Sequence, residues 1–581
     1  DYGIKFLLIT MYGDIREEIR GILGNAAGEA IKPGEIQESE LCDLTTAVAF
    51  RLARKLKKNP KELAEEIAEK IKPGKSIRKV EALNGHINFS LNYPEIIRPA
   101  MDGIMKGGDS YGRGKQKKEK IVLEHTSINP SGPVHVGRLR NSLIGDSIAR
   151  ILRFNGNKIE THYYVNDIGK QIAIIALGMK EKIKPDKEAI KNYKDYGTKE
   201  DFEIFFQYVS ANKEFESNPE FANRVQAFIK DAEDGNTAAL DEISSAARKC
   251  LEGQKEIFQK LDIGFDSFDF ESGWIKEDKI KPVFEFLKKS KYFKETDNAT
   301  GLDLSSFGLE REGGMSTLTR SDGTSVYLLR DIAYHLAKVE MGDLLINVLG
   351  EDHKFEFREI KMVLEEIYKI KTPIEVVHYS FVNFEGEGLS TRKGQTAPVD
   401  RLIDEATEKA KKEIEKRKIA TRETAPAIGI GAIKYHILKT SPQKPITFSW
   451  ERALDFDGDA APYIQYAHAR CCSILRKSEA NLDKINSKNI DKNLEKEEEN
   501  LLFSLIKFPA VVENSAAERK PNLLANYIYN LSHSLNRFYR ECPVLPAEQG
   551  VKERRLLLVD STRQVLKNAL GLLGIEAPER M

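Results

Sequence analysis

The sequence predicts a multidomain α/β protein: a doubly wound parallel sheet preceded by a small α+β domain and followed by an all-α domain. Three observations lead there. Residues 120–165 read as strand, loop, helix and strand; further short apolar runs alternate with helical patterns downstream; and only helical signals follow residue 421.

At 581 residues the chain is too long for a single core. Residues 1–10 lack the basic lead and small-residue cleavage site of a signal peptide, and Met11 is a second candidate start, which would make them a non-native or disordered extension. Residues 11–105 mix helices with short strands. Asp43 is read as the N-cap of a helix reaching Leu56, and Asn84-Gly-His-Ile-Asn-Phe89 as a turn into a strand. A Gly/Lys-rich linker fills 106–118. The α/β domain is expected over 119–420, its halves separated by a charged helical insertion from about 178 to 300. Residues 421–581 read as a helical bundle, with Asn526–Tyr539 apolar on one face and polar or aromatic on the other.

Within the α/β domain, the extended run Lys120–Glu124 enters the loop Asn129-Pro-Ser-Gly-Pro-Val-His135, whose prolines and glycine exclude a helix. A helix then spans Val136 to Phe154, Gly156 closes it, and Lys158–Val165 is extended. The start of that helix carries unpaired N–H groups and the positive end of a dipole, so a polyphosphate can dock there. Gly137 keeps the approach open and His135 adds a donor.

Leu344–Leu349 reads as a buried parallel strand. Ile374–Phe384 is extended, and the Gly-bounded loop Gly388-Leu-Ser-Thr-Arg-Lys-Gly394 separates it from a helix starting near Val399. Hydroxyls and cations in such a loop suit a pyrophosphate leaving group. Thr317–Tyr327 reads as a hairpin turning at Asp322-Gly323 and running into a helix that shows Tyr327 and Asp331 on one face. His135, Asn166, Glu351 and Ser390 each fall at or just after the end of an expected strand, where ligands of doubly wound sheets bind.

Each feature also has a plain structural explanation. His135 or His353 can be a structural histidine, Gly388–Gly394 a solvated turn, and Asp331 a helix-face carboxylate paired with Arg330 or Lys338. Composition does not decide between them. The 90 basic and 90 acidic residues balance, so an RNA-binding surface must come from local patches. Five cysteines without a Cys-x-x-Cys pair argue for a reducing compartment and against a zinc module, and no apolar run reaches membrane-spanning length. A cytoplasmic location is the expectation.

His135-Val-Gly-Arg138 and Gly388–Gly394 together resemble the HIGH and KMSKS signatures of class I aminoacyl-tRNA synthetases. Tyr164-Val-Asn-Asp167, Ser321–Asp331 and Gly458–Arg470 resemble arginyl-tRNA synthetase, in the right order from about Leu44 to the C-terminus. The resemblance implies a Rossmann-like, HUP-type catalytic domain. It also implies ATP-dependent ligation of L-arginine to tRNA(Arg) through arginyl-adenylate, with tRNA needed even for activation. Mg would accompany ATP without a dedicated protein cage, and a monomer is expected.

The resemblance further implies residue roles. Arginine would meet Glu124, Asn129, Tyr327, Asp331 and His353, since an always-charged planar guanidinium calls for carboxylates in fork geometry. ATP would lie along Ser131, Gly132, Pro133, His135, Gly137, Asp352, Leu389 and Ser390. The catalytic set would be His135, Gly137, Arg138, Ser390, Arg392 and Lys393. Two departures stand out: Arg138 replaces the usual second histidine, and neither lysine position of the downstream signature is filled. A lysine preceding the first signature in some members is Gly132 here, so Arg392 or, by preference, Lys393 must stabilise pyrophosphate.

For tRNA, Asn84 and His86 would touch the elbow, and Tyr463, Gln465, Tyr466, Arg470, Tyr527 and Arg537 the anticodon, with His468 and Tyr529 in the same runs. A cysteine-specific synthetase lacks its zinc cysteines here, and a small adenylyl transferase would lack the helical bundle. The alternative is a non-catalytic tRNA-binding paralogue, supported only by the altered loop and Arg138.

Overall fold

The computed structural model describes residues 11–39, 41–321, 323–384, 397–419, 421–482, 485, 491 and 493–581. Leu389, Ser390, Arg392 and Lys393 therefore lie outside the described residues, as does Asp322.

The first domain comprises α1 (Met11–Ala27), β1 (Ile36–Glu38), β2 (Leu44–Thr46), α2 (Val48–Leu56), α3 (Pro60–Lys70), β3 (Ile77–Leu83), β4 (His86–Leu91) and α4 (Tyr93–Gly107). Its strands pair antiparallel in the order β1-β2-β4-β3. Alternation decides which face is inside: Ile87, Phe89 and Leu91 of β4 are buried. The expected helix from Asp43 is corrected. Strand β2 intervenes, Ala47 is the N-cap of α2, and the Asp43 carboxylate accepts from Leu91 N–H (2.7 Å) and Tyr93 OH (2.5 Å). The expected linker is packed, with Gly112 against the Phe508 ring and Tyr111 OH donating to the Leu505 carbonyl.

The second domain begins with β5 (Lys120–Glu124), α5 (Val136–Phe154), β6 (Lys158–Val165) and α6 (Lys170–Lys180). Next come α7 (Lys187–Asn192), α8 (Glu200–Ser217), α9 (Pro219–Glu233) and α10 (Thr237–Lys260), which pack with α6 around a core of their own. The helical insertion ends there rather than near 300. Strand β7 (Ser267–Phe270) rejoins the main sheet, and after α11 (Glu271–Lys276) and α12 (Ile280–Lys288) come β8 (Phe293–Thr296), β9 (Ala299–Leu302) and β10 (Ser316–Arg320), a small antiparallel sheet. Most charged residues of this stretch do lie on α11, α12 and the turns beside them, and β7, β8 and β9 are only four residues long, too short for their period to be told from a helical one.

Then follow α13 (Tyr327–Met341), β11 (Leu344–Gly350), α14 (Lys354–Met362), β12 (Ile374–Tyr379), β13 (Val382–Phe384) and α15 (Val399–Arg417). The main sheet is wholly parallel, in the order β12-β11-β5-β6-β7. From β5 the chain steps outward to β6 and β7, then returns on the other side with β11 and β12. The reversal leaves a crevice at the carboxyl ends of β5 and β11, where ligands of such sheets bind.

The third domain has α16 (Ala425–Leu438), β14 (Ile446–Phe448), α17 (Trp450–Ala453), α18 (Ala461–Ser478), α19 (Lys496–Glu518), α20 (Pro521–Glu541) and α21 (Gln549–Leu572). It is not purely helical, since β14 pairs in parallel with β13. Helix α5 is enclosed between the sheet and α16, α19, α20 and α21, which explains why even its polar Asn141, Ser142, Asp146 and Ser147 are buried. A Cβ on Gly145 would stand 2.2 Å from the ring of buried His125, which itself packs on Phe265. Gly145→Ala should therefore destabilise the protein by about 2–3 kcal/mol despite its better helix propensity, read as a lower denaturant midpoint.

Candidate active site

The crevice opens as a cleft of about 720 Å³, and most of the expected residues meet in it. Asn129, Ser131, Gly132 and Pro133 come from the β5–α5 loop, His135 and Arg138 from the start of α5, Tyr327 and Asp331 from α13, and His353 from the turn after β11. Asn166, at the end of β6, joins them.

His135 is the N-cap residue of α5, and its Nδ1 is buried without a partner. Loss of solvation, then the neighbouring Arg138, pull its pKa down to about 4, so the ring is neutral near pH 7. A Cβ on Gly137 would lie 3.1 Å from that Nδ1, so the glycine leaves the ring's flank open. One expectation is corrected here: not all the N–H groups of the helix start are unpaired. Val136 N–H donates to Ala397 O (3.0 Å) and Arg138 N–H to His135 O (2.9 Å). With Val399 N–H donating to Val134 O (2.8 Å), this bridge ties the entry of α15 to the entry of α5. A phosphate there meets the dipole and the side chains more than free backbone donors.

Three carboxylates and two cations sit around Asp331. Glu124 Oε2 accepts from Lys338 Nζ (2.6 Å) and Oε1 from Ser127 Oγ (3.1 Å). Burial opposes its ionisation, but Lys338, His335 and the Ser127 hydroxyl together outweigh burial and hold the carboxyl below its ordinary range. Arg330 is taken by Glu233 and Glu271. Asp331 is thus the carboxylate left over: among the described residues its side chain makes no hydrogen bond or ion pair, and the pairing with Arg330 or Lys338 does not occur. Burial, then Glu124 and Glu271, raise its pKa to about 7 against the opposing pull of Lys338 and Arg330. Glu124 is corrected from a direct wall residue to one beneath the wall, since Lys338 and Ser127 occupy its oxygens and it does not line the cleft.

Tyr327, the first residue of α13, is 61% exposed at the mouth. His353 is half-exposed, 3.6 Å from Asp352, which itself lies off the cleft wall.

Several contributors were missed. Gln171 Oε1 accepts from Asn129 Nδ2 (3.4 Å) and Ser131 Oγ (3.3 Å). Tyr193, Phe205 and Tyr208 of the helical insertion form an aromatic part of the wall, and Phe205 packs against Gly132. Buried Gln254 of α10 donates to Gly132 O (2.8 Å) and Asn129 O (3.3 Å), holding the loop from behind. Only Gln254 left a trace in sequence, as an amide inside the apolar stripe of its helix.

A second cleft, about 580 Å³, lies in the third domain between α18, α20 and the C-terminus. The Arg470 guanidinium stands 4.7 Å from the Tyr466 ring and 5.0 Å from that of Tyr539, a platform completed by Met581. Tyr466 and Arg470 are here as expected; Tyr539 was not singled out. Gln465 is corrected to a core residue, fully buried and donating to Ala427 O and Glu576 O. Tyr527 likewise is core, stacked on Phe508 with its OH on the Ser504 carbonyl. His468 is buried against Pro578 O. Tyr463 leans on Tyr529, and Arg537 pairs with Glu497 at 2.6 Å. In the first domain, Asn84 and His86 are exposed at the β3–β4 turn, with Phe50 edge-on to His86.

Among the described residues no helix is long and apolar enough to cross a membrane, and no three His, Cys, Asp or Glu side chains gather to hold a metal.

The sequence matches three family models: the arginyl tRNA synthetase N terminal domain over residues 13–91, the class I tRNA synthetase (R) catalytic domain over 101–450, and the DALR anticodon binding domain over 464–581. It is 41% identical to the arginine--tRNA ligase of Methanocaldococcus jannaschii, across 95% of this chain and 96% of that protein. Identity to the arginine--tRNA ligase of Methanocella arvoryzae is 39%, across 98% and 100%. Thermus thermophilus arginyl-tRNA synthetase superposes with a TM-score of 0.78 at 26% identity, covering 98% of this chain and all of that one.

Proposed function

Because this chain belongs to the arginyl-tRNA synthetase family and ligates arginine to tRNA using ATP, we propose a division of that work among the residues of the two clefts. The observation that carries it is Asp331, the one carboxylate of its cluster without a partner among the described residues, facing the cleft. The arginine guanidinium docks on Asp331 beside Tyr327, with Glu124 contributing negative potential from beneath. Asn129, steadied by Gln171, holds the α-amino end. ATP lies along Ser131–Pro133 and the start of α5, where neutral His135 donates to a phosphate oxygen and Arg138 adds charge.

The arginine carboxylate attacks the α-phosphorus, the bond to the β-phosphate breaks, and arginyl-adenylate and pyrophosphate form. Lys393, or Arg392 beside it, neutralises the departing charge. The 2′-OH of the terminal tRNA ribose then attacks the adenylate carbonyl and releases AMP. Catalysis is positioning and charge neutralisation, with no covalent intermediate on the enzyme. Magnesium enters this proposal with the phosphates of ATP.

The anticodon is read at Tyr466, Arg470 and Tyr539, whose stacked cation and rings suit unpaired bases, with Arg537 and Tyr463 at the rim. Asn84 and His86, with Phe50, face the tRNA elbow. The reading carries with it a monomer working in the cytoplasm, and no observation favours a non-catalytic relative.

The test is arginine-dependent ATP–pyrophosphate exchange with and without tRNA. Exchange only when both arginine and tRNA are present supports the whole reading, and its collapse in Lys393→Ala supports that residue. Exchange without tRNA would remove the tRNA-dependence alone; none under any condition would sink the catalytic assignment. The Asp331 pKa sets a second expectation. Free enzyme below pH 7 carries a neutral Asp331, so binding a guanidinium must expel a proton. Arginine affinity should be flat above pH 8 and weaken about tenfold per unit below pH 7, measured by calorimetry in buffers of different ionisation enthalpy.

A further inference from the structure

Arg330 stands next to Asp331 in the chain and is chemically the same group as the substrate's head. A free guanidinium at that distance would compete with the substrate for the one unpaired carboxylate. The structure ties it down completely. Nε donates to Ser325 Oγ (2.8 Å), Nη2 to Glu233 Oε1 (2.5 Å) and Ser325 O (3.1 Å), and Nη1 to Glu271 Oε1. The ties are themselves anchored: Glu233 Oε2 accepts from Ser325 N–H (2.8 Å), and Glu271 Oε2 from Tyr164 OH (2.9 Å). Arg330 is 7% exposed, so its attraction to either glutamate is little screened.

We propose that Glu233 and Glu271 are positioning residues that hold the enzyme's own guanidinium away from Asp331, keeping that carboxylate for the substrate; this rests on Asp331 being the guanidinium site. One glutamate balances the charge of Arg330, and the second makes the cluster net negative, so Arg330 gains nothing by leaving it for Asp331. Glu233 comes from the last turn of α9, which gives the helical insertion a direct hold on arginine recognition, separate from its support of the loop at Gly132. The groups whose charge acts on Asp331 are Glu124 of β5, Glu271 of α11, and Arg330 and Lys338 of its own helix; burial, then Glu271 and Asp331, in turn push the Tyr164 phenol of β6 up, so it faces the cluster uncharged. Of the two described cations that act on Asp331, Arg330 is the one whose release would free it, because Lys338 is already committed to Glu124 and Asn347.

The test is Glu233→Gln in the full-length enzyme, which keeps the side chain's size and an acceptor for Ser325 N–H but removes the charge. The KM for arginine is expected to rise at least tenfold, with the KM values for ATP and tRNA within twofold. Its dependence on pH between 6 and 8 should flatten, because Arg330 then holds Asp331 ionised in the free enzyme. The double variant Glu233→Gln/Arg330→Gln, which has no competing cation, should bring the KM back to within about threefold of wild type. A purely structural role would lower the melting temperature and kcat, leave the pH profile alone, and be worsened by the second substitution. An unchanged KM and profile in a folded Glu233→Gln enzyme, or a raised KM that the double variant does not relieve, overturns the proposal. Asp331→Asn is the control: an unchanged arginine KM there overturns the site reading itself and this inference with it, whereas a large rise there with no response at Glu233 overturns the inference alone.

Discussion

Asp331→Asn raises the KM for arginine by two to three orders of magnitude while leaving the KM for ATP within about threefold. The size follows from leaving a buried charge without its partner, which costs about 3–5 kcal/mol, with every 1.4 kcal/mol a factor of ten. The neighbouring described carboxylates are already engaged. Glu124 is held by Lys338 and Ser127, and Glu271 by Arg330 and Tyr164. Removing the negative charge should also abolish the proton release described above, so calorimetry gives a second reading from the same variant. A rise of less than about tenfold would mean that the guanidinium binds elsewhere in the cleft, with His353 and Glu356 the next place to look.

The second large effect is expected at Arg140, two residues beyond the first signature and fully buried. Its guanidinium has no carboxylate partner. It donates instead to the carbonyls of Ser380 (2.6 Å), Phe381 (3.4 Å), Ser441 (3.1 Å) and Lys444 (2.8 Å), and burial pulls its pKa down to about 10. Arg140→Met fills similar space and takes the side-chain donor from the Ser380 and Lys444 carbonyls, whereas Phe381 O and Ser441 O still accept from Ile446 N–H (3.2 Å) and Lys444 N–H (3.0 Å). At about 1–3 kcal/mol for each acceptor that stays buried and unmet, the loss should reach about 2–6 kcal/mol. Arg140→Lys should recover only part of it, because three donors on one nitrogen do not reproduce the spread of the guanidinium fork across both segments. Activity should fall as well. Ser380 and Phe381 join β12 to β13, the strand that leads toward residues 385–396. Urea unfolding and pyrophosphate exchange on the same preparations check both parts. A stability loss below 1 kcal/mol would mean that the carbonyls find water or each other, and that Arg140 is not the tie it is drawn as.

The parts of this molecule set by local chemistry were readable from residues alone. Lys120–Glu124, Val136–Phe154 and Lys158–Val165 have the expected boundaries because a proline-rich loop and Gly156, at φ +83°, leave no other place to stop. The cleft residues of the β5–α5 loop and of α13 followed from motif resemblance, and the structure brings them together. What was misread depends on partners distant in sequence. Asp43 looks like a helix cap, but its carboxylate is claimed by Leu91 and Tyr93, nearly fifty residues on. Gln465 and Tyr527 lie on helices that are amphipathic by pattern, and the pattern does not say which neighbour covers the polar edge. Glu233 announces nothing locally, and Gln254 no more than an amide in an apolar stripe, since their role arises only when the insertion folds back on the loops it serves.

The enclosure of α5 has a consequence for the chain as a set of parts. The helix that His135 caps packs on both sides into one continuous core, against the sheet on one side and α16, α19, α20 and α21 on the other. Its Ser147 hydroxyl even bonds to the Leu572 carbonyl, 425 residues away. Cutting the chain near residue 420 would therefore not release a self-sufficient catalytic unit but lay open one whole side of the helix on which we place ATP. Backbone amides of α5 should be among the slowest to exchange with deuterium, and should lose that protection together with those of α21, because the two halves melt as one. Modules that look detachable in a diagram are, at this helix, a single cooperative body.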